Sequence, residues 1–194
     1  MLQFIAGINT QYSIPELVQM AIEGGCKWIQ LNVSGLDDTA IRDTATEVTA
    51  LCRENGTILT IENRADLARE YGMHGVHITD LSISAISMRQ ELGPEAIVGI
   101  EVTTPQAVVT LKGADIDYAT VAQSLSPEQA KELIDTANMG GNEMPIVLHT
   151  DLAGAEAAKA MRAAGASGVA IGKGIAESPD PEKAITETLT AINA

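Results

Sequence analysis

A repeat punctuated by glycine restricts this chain more than any other feature. Gly24-Gly25, Gly56, Gly72, Gly93, Gly113, Gly140-Gly141 and Gly165 each stand just before a short apolar run. Glycine adopts positive φ without a Cβ penalty, so helices commonly end on it. Each glycine therefore reads as the end of one helix and the approach to the next strand. With an opening run at Gln3 to Ile8, that gives eight strands in 194 residues. The spacing, roughly 24 residues per unit, is tight for a β/α barrel but attainable with short loops. The expected fold is α/β: one small (β/α)8 TIM-barrel domain over residues 1–194.

Composition supports this. The chain is 45% hydrophobic but only 3% aromatic, so its core must be Ile, Val, Leu and Ala, as suits a parallel sheet covered by helices. A net charge of −14 argues against nucleic acid and anionic membrane surfaces as partners. An anionic substrate would need a local positive pocket or a metal ion. No apolar run approaches the ~20 residues of a membrane span, and no signal peptide is seen, so a cytoplasmic location is expected. Cys26 and Cys52 lack CxxC spacing and fall on apolar faces, which reads as two buried reduced thiols. The chain is compatible with a homo-oligomer, whose order the sequence does not set.

The further strands are expected at Trp28 to Leu31, Ile58 to Ile61, Gly75 to Ile78, Ile97 to Ile100, Tyr118 to Val121, Pro145 to Leu148 and Gly168 to Ile171. Helix starts are signalled by Ser13 with Glu16, Thr104-Pro105, Ser126-Pro127 with Gln129, and Asp180-Pro181. Other helices are expected over Asp37 to Glu54, Arg64 to Tyr71, Ser82 to Leu92 and Ala153 to Ala164. A parallel barrel gathers its functional residues at the C-terminal ends of its strands. Here those ends carry Asn9, Asn32, Glu62 with Asn63, His77 with Asp80, Glu101, Gln123, His149 with Thr150 and Asp151, and Lys173. The opposite ends carry mostly small turn residues. This asymmetry points to a small-molecule site at one mouth.

After the last strand, Gly172-Lys173-Gly174 reads as a glycine-rich loop whose N–H groups approach an anion closely, with the Lys173 charge added. Glu62, Glu101 and Asp80, with Asp151 as a fourth, suit magnesium. Combined with His77 and His149 they suit zinc, iron or manganese instead. A lone strand histidine such as His77 more often serves the core, whereas His149 stands directly at a strand end.

The run Leu59-Thr60-Ile61-Glu62-Asn63-Arg64-Ala65-Asp66-Leu67-Ala68, followed by Gly75-Val76-His77-Ile78, resembles the thiamine phosphate synthase and TenI family. In that family an Ile-Asn-Asp-Arg-x-Asp-Leu-Ala segment ends strand three and Gly-Val-His-Leu forms strand four. The resemblance extends to Trp28 to Leu31, Leu92 to Gly99 and Gly165 to Ile171, and so covers most of the chain. It implies a small β/α barrel that couples a pyrimidine diphosphate to a thiazole phosphate, releasing pyrophosphate with the help of magnesium. A TenI branch includes a thiazole tautomerase.

The match has gaps. Asn32, Val33 and Ser34 stand where the family has a basic pair, and Glu62-Asn63 stands for its Asn-Asp. Glu101-Val102-Thr103 replaces a histidine-bearing segment. Ala122-Gln123-Ser124 replaces a long loop, and His149-Thr150-Asp151 replaces a Gly-Gly phosphate loop. The resemblance implies Asp80 and Glu62 on magnesium and Gly172, Lys173 and Gly174 on the thiazole phosphate, with Gln30 and Asn32 facing the pyrimidine. Asn63, His77, Thr150 and Asp151 complete the expected substrate contacts. Glu62, Glu101 and His149 are the catalytic candidates. The leading expectation is a thiamine-related barrel binding a phosphorylated small molecule. The alternatives are an isomerase, tautomerase or epimerase on such a substrate, and a non-catalytic phosphate-ligand binder.

Overall fold

The structure, a computed structural model, describes residues 1–111, 114–141 and 143–194. Gly113, expected to end a helix, and Asn142, in the expected polar loop Met139 to Glu143, lie outside the described residues. Eight parallel strands close into a barrel in chain order: β1 (Leu2–Ala6), β2 (Trp28–Leu31), β3 (Ile58–Glu62), β4 (Gly75–Ile78), β5 (Ile97–Val102), β6 (Tyr118–Val121), β7 (Ile146–Thr150) and β8 (Gly168–Ile171). Closure sets Leu2 opposite Val169 and Phe4 opposite Ile171. Among the described residues, the helices are α1 (Ile14–Glu23), α2 (Asp38–Glu54), α3 (Ala65–Tyr71), α4 (Ala85–Leu92), α5 (Pro105–Thr110), α6 (Pro127–Met139), α7 (Gly154–Ala164), α8 (Lys173–Ala176) and α9 (Pro181–Asn193).

Local chemistry accounts for these boundaries. Ser13 and Glu16, and likewise Ser126 and Gln129, satisfy one another's backbone N–H groups in capping boxes, each with proline in the first turn. Thr104 and Asp180 cap α5 and α9. Gly72 and Gly165 end α3 and α7 at φ of 65° and 75°, where a side chain would be strained. Helix α4 is shorter than expected, because Ser84 rather than Ser82 caps it. Strands β5 and β7 run two residues further than expected, which brings Glu101 and His149 into regular strand positions.

Side chains alternate along each strand between the helix layer and the barrel interior. Between barrel and helices, Ile29, Ile61 and Val98 of the strands pack in one cluster with Leu17, Val18 and Leu67 of α1 and α3, and Val121 packs in another with Leu133 and Ile134 of α6. Inside the barrel, Trp28, Tyr118, Val147 and Ala170 pack with Ile5, Ile58 and Ile97. The Trp28 and Tyr118 rings meet edge to face, centroids 4.7 Å apart. Gly99 leaves room for this: a Cβ there would lie 2.2 Å from the Tyr118 ring. This plug closes the barrel below the mouth. Both cysteines are free thiols in the core, and burial pushes Cys52 up to about 12.

Candidate functional site

Above the aromatic plug, two strand residues nearer the C-terminal ends, lies a polar layer. Gln30 Nε2 donates to Glu62 Oε1 at 2.7 Å. Burial raises the Glu62 pKa; the Gln30 hydrogen bond and His149 pull it back, and Glu101 pushes it further up. Beside them His77 is fully enclosed, its Nε2 2.9 Å from Thr120 Oγ1 and its ring stacked 5.3 Å from Tyr118. Burial drives the His77 pKa down to about 3, with the charge of His149 adding to the effect. It is therefore a neutral imidazole. Gln30 Oε1 and His77 Nδ1 are buried without a partner.

The next step up reaches the mouth, a cavity of about 320 Å³. Asn32, Glu62, His149, Asp151, Gly172 and Lys173 all line it, joined by Asn9 and Gln123. Six of the eight strands or their following loops thus meet at one opening, as the dispersed polar residues suggested. His149 Nδ1 lies 3.8 Å from Glu101 Oε2, and both side chains are about a quarter exposed. With Glu62 close enough to feel both charges, the mouth holds two carboxylates and an imidazole, a set suited to moving protons.

The glycine segment after β8 is not a free loop. Gly172 caps the short helix α8, its carbonyl accepting from the N–H groups of Ile175 and Ala176. Gly174 is required by contact, since a Cβ there would lie 1.9 Å from the Asp151 carbonyl oxygen. The turn is thereby pinned against the end of β7, next to His149. Lys173 is exposed and is the one Lys or Arg lining the cavity among the described residues. It makes no ion pair there.

Other expected contacts serve the scaffold. Asn63 has φ 58°, a conformation Asn tolerates better than most residues. Its Oδ1 accepts from the N–H groups of Thr79 and Asp80, and its Nδ2 donates to Thr79 Oγ1, so it clamps the loop after β4. Thr150 Oγ1 accepts from Leu152 N–H at 3.1 Å. Thr150 faces an adjoining apolar groove of about 540 Å³ that shares Gln123, His149 and Asp151 with the mouth. Gln30 and His77 sit beneath the cavity rather than on its wall.

The donors do not gather for magnesium. Asp80 is exposed, and its Oδ1 accepts from both the N–H and the hydroxyl of Ser82. Glu62 is held by Gln30 in surroundings that disfavour its charge. Among the described residues, no group of three or more His, Cys, Asp or Glu is arranged to hold a metal ion. The residues present do not fit a resident ion, and no step is assigned to one.

Ser34 and Glu177 also line the mouth and were not foreseen. Ser34 follows Asn32 in a turn where Asn32 Oδ1 accepts its N–H, a pattern the Asn-x-Ser spacing could have signalled. Glu177 is placed by α8, a helix of one turn that carries no periodicity.

A family model described as thiamine monophosphate synthase matches residues 2–175. A thiamine-phosphate synthase of Bacteroides fragilis is 30% identical over 204 residues, covering 99% of this chain and 98% of that one. Another, of Natronomonas pharaonis, is 31% identical, covering 93% of this chain and 88% of its own length. Among solved structures, thiamine phosphate pyrophosphorylase from Pyrococcus furiosus superposes with a TM-score of 0.84 at 17% identity, covering 99% of this chain and 95% of that one, which shows the shared fold. By sequence, fold and the extent of the match, the chain belongs to the thiamine monophosphate synthase family.

Proposed function

We propose that the chain acts in thiamine biosynthesis, joining a pyrimidine diphosphate to a thiazole phosphate at the mouth of the barrel. The observation that carries this reading is the Gly172-Lys173-Gly174 turn, which sets the one Lys or Arg lining the cavity among the described residues beside backbone N–H groups at the end of β8. In a protein of charge −14, a phosphate needs such a local exception. The family and its synthase relatives support the choice of substrates. Coupling breaks the carbon–oxygen bond to the diphosphate while the thiazole nitrogen bonds to the same carbon. Its rate comes from holding the partners together and neutralising the departing charge. Lys173 and the turn would hold the phosphate, and Asn32 would face the pyrimidine. Glu62, positioned by Gln30, would present its carboxyl group to it. Two buried free thiols, Cys26 and Cys52, accord with a reducing compartment, and the proposal places the chain in the cytoplasm.

A second reading rests on the His149–Glu101 pair at 3.8 Å beside Glu62. These groups suit proton transfer within a bound phosphorylated molecule, an isomerase activity. The two readings separate in one set of experiments. Purified protein is incubated with both thiamine precursors, with and without magnesium as the counter-ion of the diphosphate, and thiamine phosphate is measured. In parallel, thiazole phosphate alone is incubated in deuterated water and its ring protons are followed by NMR. Product in the first assay supports coupling. Exchange in the second without product in the first supports the isomerase. Binding with neither leaves a phosphate-ligand binder and overturns both enzymatic readings.

A further inference from the structure

The opposite end of the barrel holds a second cavity, of about 270 Å³, between the end of α2, the start of β3 and the end of α3. Its floor includes Thr49 and Thr57, whose side chains are 8% and 1% exposed. Both hydroxyls are buried without any hydrogen-bond partner. Buried polar groups are almost always paired, so two orphans lining one cavity call for a missing partner. At the rim stand Arg53 and His74, both exposed. His74 Nδ1 accepts from Leu59 N–H at 3.1 Å, which leaves the proton on Nε2.

Helix C-termini ordinarily present carbonyls and attract cations. Here those carbonyls are already used. Leu51, Cys52 and Arg53 accept from the N–H groups of Asn55, Thr57 and Gly56, and Ala68 and Arg69 accept from Met73 and Gly72. The Tyr71 carbonyl takes Arg53 Nη2 at 3.4 Å. What lines the cavity is the Arg53 guanidinium, the His74 ring and two threonines whose hydroxyls are enclosed beneath its surface, and among the described residues no carboxylate lines it. Gly72, Met73 and His74 also line an adjoining groove of about 390 Å³, whose wall includes Arg69, Leu92, Glu95, Ala96 and Ile97.

We propose that this pocket is a second ligand site, taking a small molecule that carries a carboxylate or phosphate group. The oxyanion lies on Thr49, Thr57, Arg53 and His74, and the rest of the molecule follows the groove toward Ala96. The site is separate from the mouth: Thr57 precedes β3 and Glu62 ends it, a rise of roughly 16 Å at about 3.3 Å per residue.

The test is a titration of the ¹⁵N-labelled protein with inorganic phosphate and, separately, succinate, followed by NMR. Phosphate or succinate is expected to shift the His74 ring and the amides of Gly56, Thr57 and Gly72. Arg53→Met should weaken that response at least tenfold. Thr57→Val should weaken it too while leaving the melting temperature no lower than wild type, because the hydroxyl it removes bonds to nothing in the free protein. Lys173→Ala reports on the mouth and should leave these shifts intact, so failure of either site is seen independently of the other. A response to one anion and not the other sets the ligand's class. Shifts confined to residues around Lys173, or a response at His74 that survives both Arg53→Met and Thr57→Val, would overturn the proposal.

Discussion

At the N-terminal ends of the strands, Arg89 is 8% exposed, and its guanidinium donates to the carbonyls of Gly93, Pro94, Ala96 and Asp115 and to Asp117 Oδ2 at 2.7 Å. Asp117 in turn accepts from Val98 N–H, which ties β5 to the entry of β6. At the C-terminal ends Lys173 is exposed and donates to no protein group among the described residues. One cation is consumed by the scaffold and the other is held in reserve. The contrast teaches that a charged residue's value to a fold and its value to a ligand are set by how many of its donors the protein has already used. The pocket at Thr49 and Thr57 departs from this division, because it lies at the stabilising end and yet has donors to spare.

The largest expected effect tests the stabilising end. Arg89→Met leaves Asp117 without its cation and the carbonyls of Pro94, Ala96 and Asp115 without the guanidinium donor, and should cost about 3–5 kcal/mol of unfolding free energy. Arg89→Lys should recover little, since an ammonium cannot reproduce the guanidinium's fork of donors. Urea denaturation reads both. If Arg89→Met lost less than about 1 kcal/mol, the assignment of this end to stability would fail.

The buried layer between the two ends gives a pH signature. His77 is neutral in the folded barrel, with its pKa at about 3, against 6.5 when the chain unfolds. Below pH 6.5 the unfolded chain takes up a proton that the folded one refuses. Stability should therefore fall as pH drops from 6.5 toward 3, by at most about 1.4 kcal/mol per pH unit from this group. His77→Gln keeps a polar group beside Thr120 and should flatten that slope. Equal slopes in the two proteins would show that another group dominates acid unfolding.

Lys173→Ala tests the other end. It should leave the melting temperature unchanged and weaken thiazole phosphate binding about tenfold or more, as expected for a charge-assisted contact of about 1.5–3 kcal/mol. Isothermal titration measures it. A variant that bound normally would move the phosphate away from the turn after β8.

The sequence showed the barrel more fully than the site, and the reason is physical. Glycine at helix ends, capping pairs and short apolar runs are local devices, and five of the eight predicted strands share their last residue with the structure or stop one short of it. The places of Glu62, Glu101 and His149 were legible because a strand end is a one-dimensional landmark. The roles of Asn63 and Asp80 were not. Whether an amide or carboxylate at the mouth faces a ligand or ties a loop depends on neighbours such as Thr79 and Ser82, whose approach follows from the path of the β4 loop. The orphaned hydroxyls of Thr49 and Thr57 left no trace in the sequence, because an unpaired group is defined by what surrounds it in space.

The smallest effect distinguishes the two roles that Glu62 combines. Burial raises its folded pKa above the ordinary value of 4.5, so the native state keeps a proton that the unfolded chain has released. Stability from this group is present at low pH and declines as pH rises from 4.5 through the folded value. The decline is about 1.4 kcal/mol for each unit by which the folded value exceeds the unfolded one. Glu62→Gln retains an oxygen to accept from Gln30 and cannot ionise, so wild type should lose ground to the variant as pH rises through that window. Urea melts of both proteins at intervals between pH 4 and 8 measure the gap. A constant gap would mean that Glu62 reaches solvent more freely than its burial indicates. A gap that widens with pH, with thiazole phosphate still bound by the variant but coupling slowed, would mark Glu62 as a group whose cost to the fold serves its proton at the mouth.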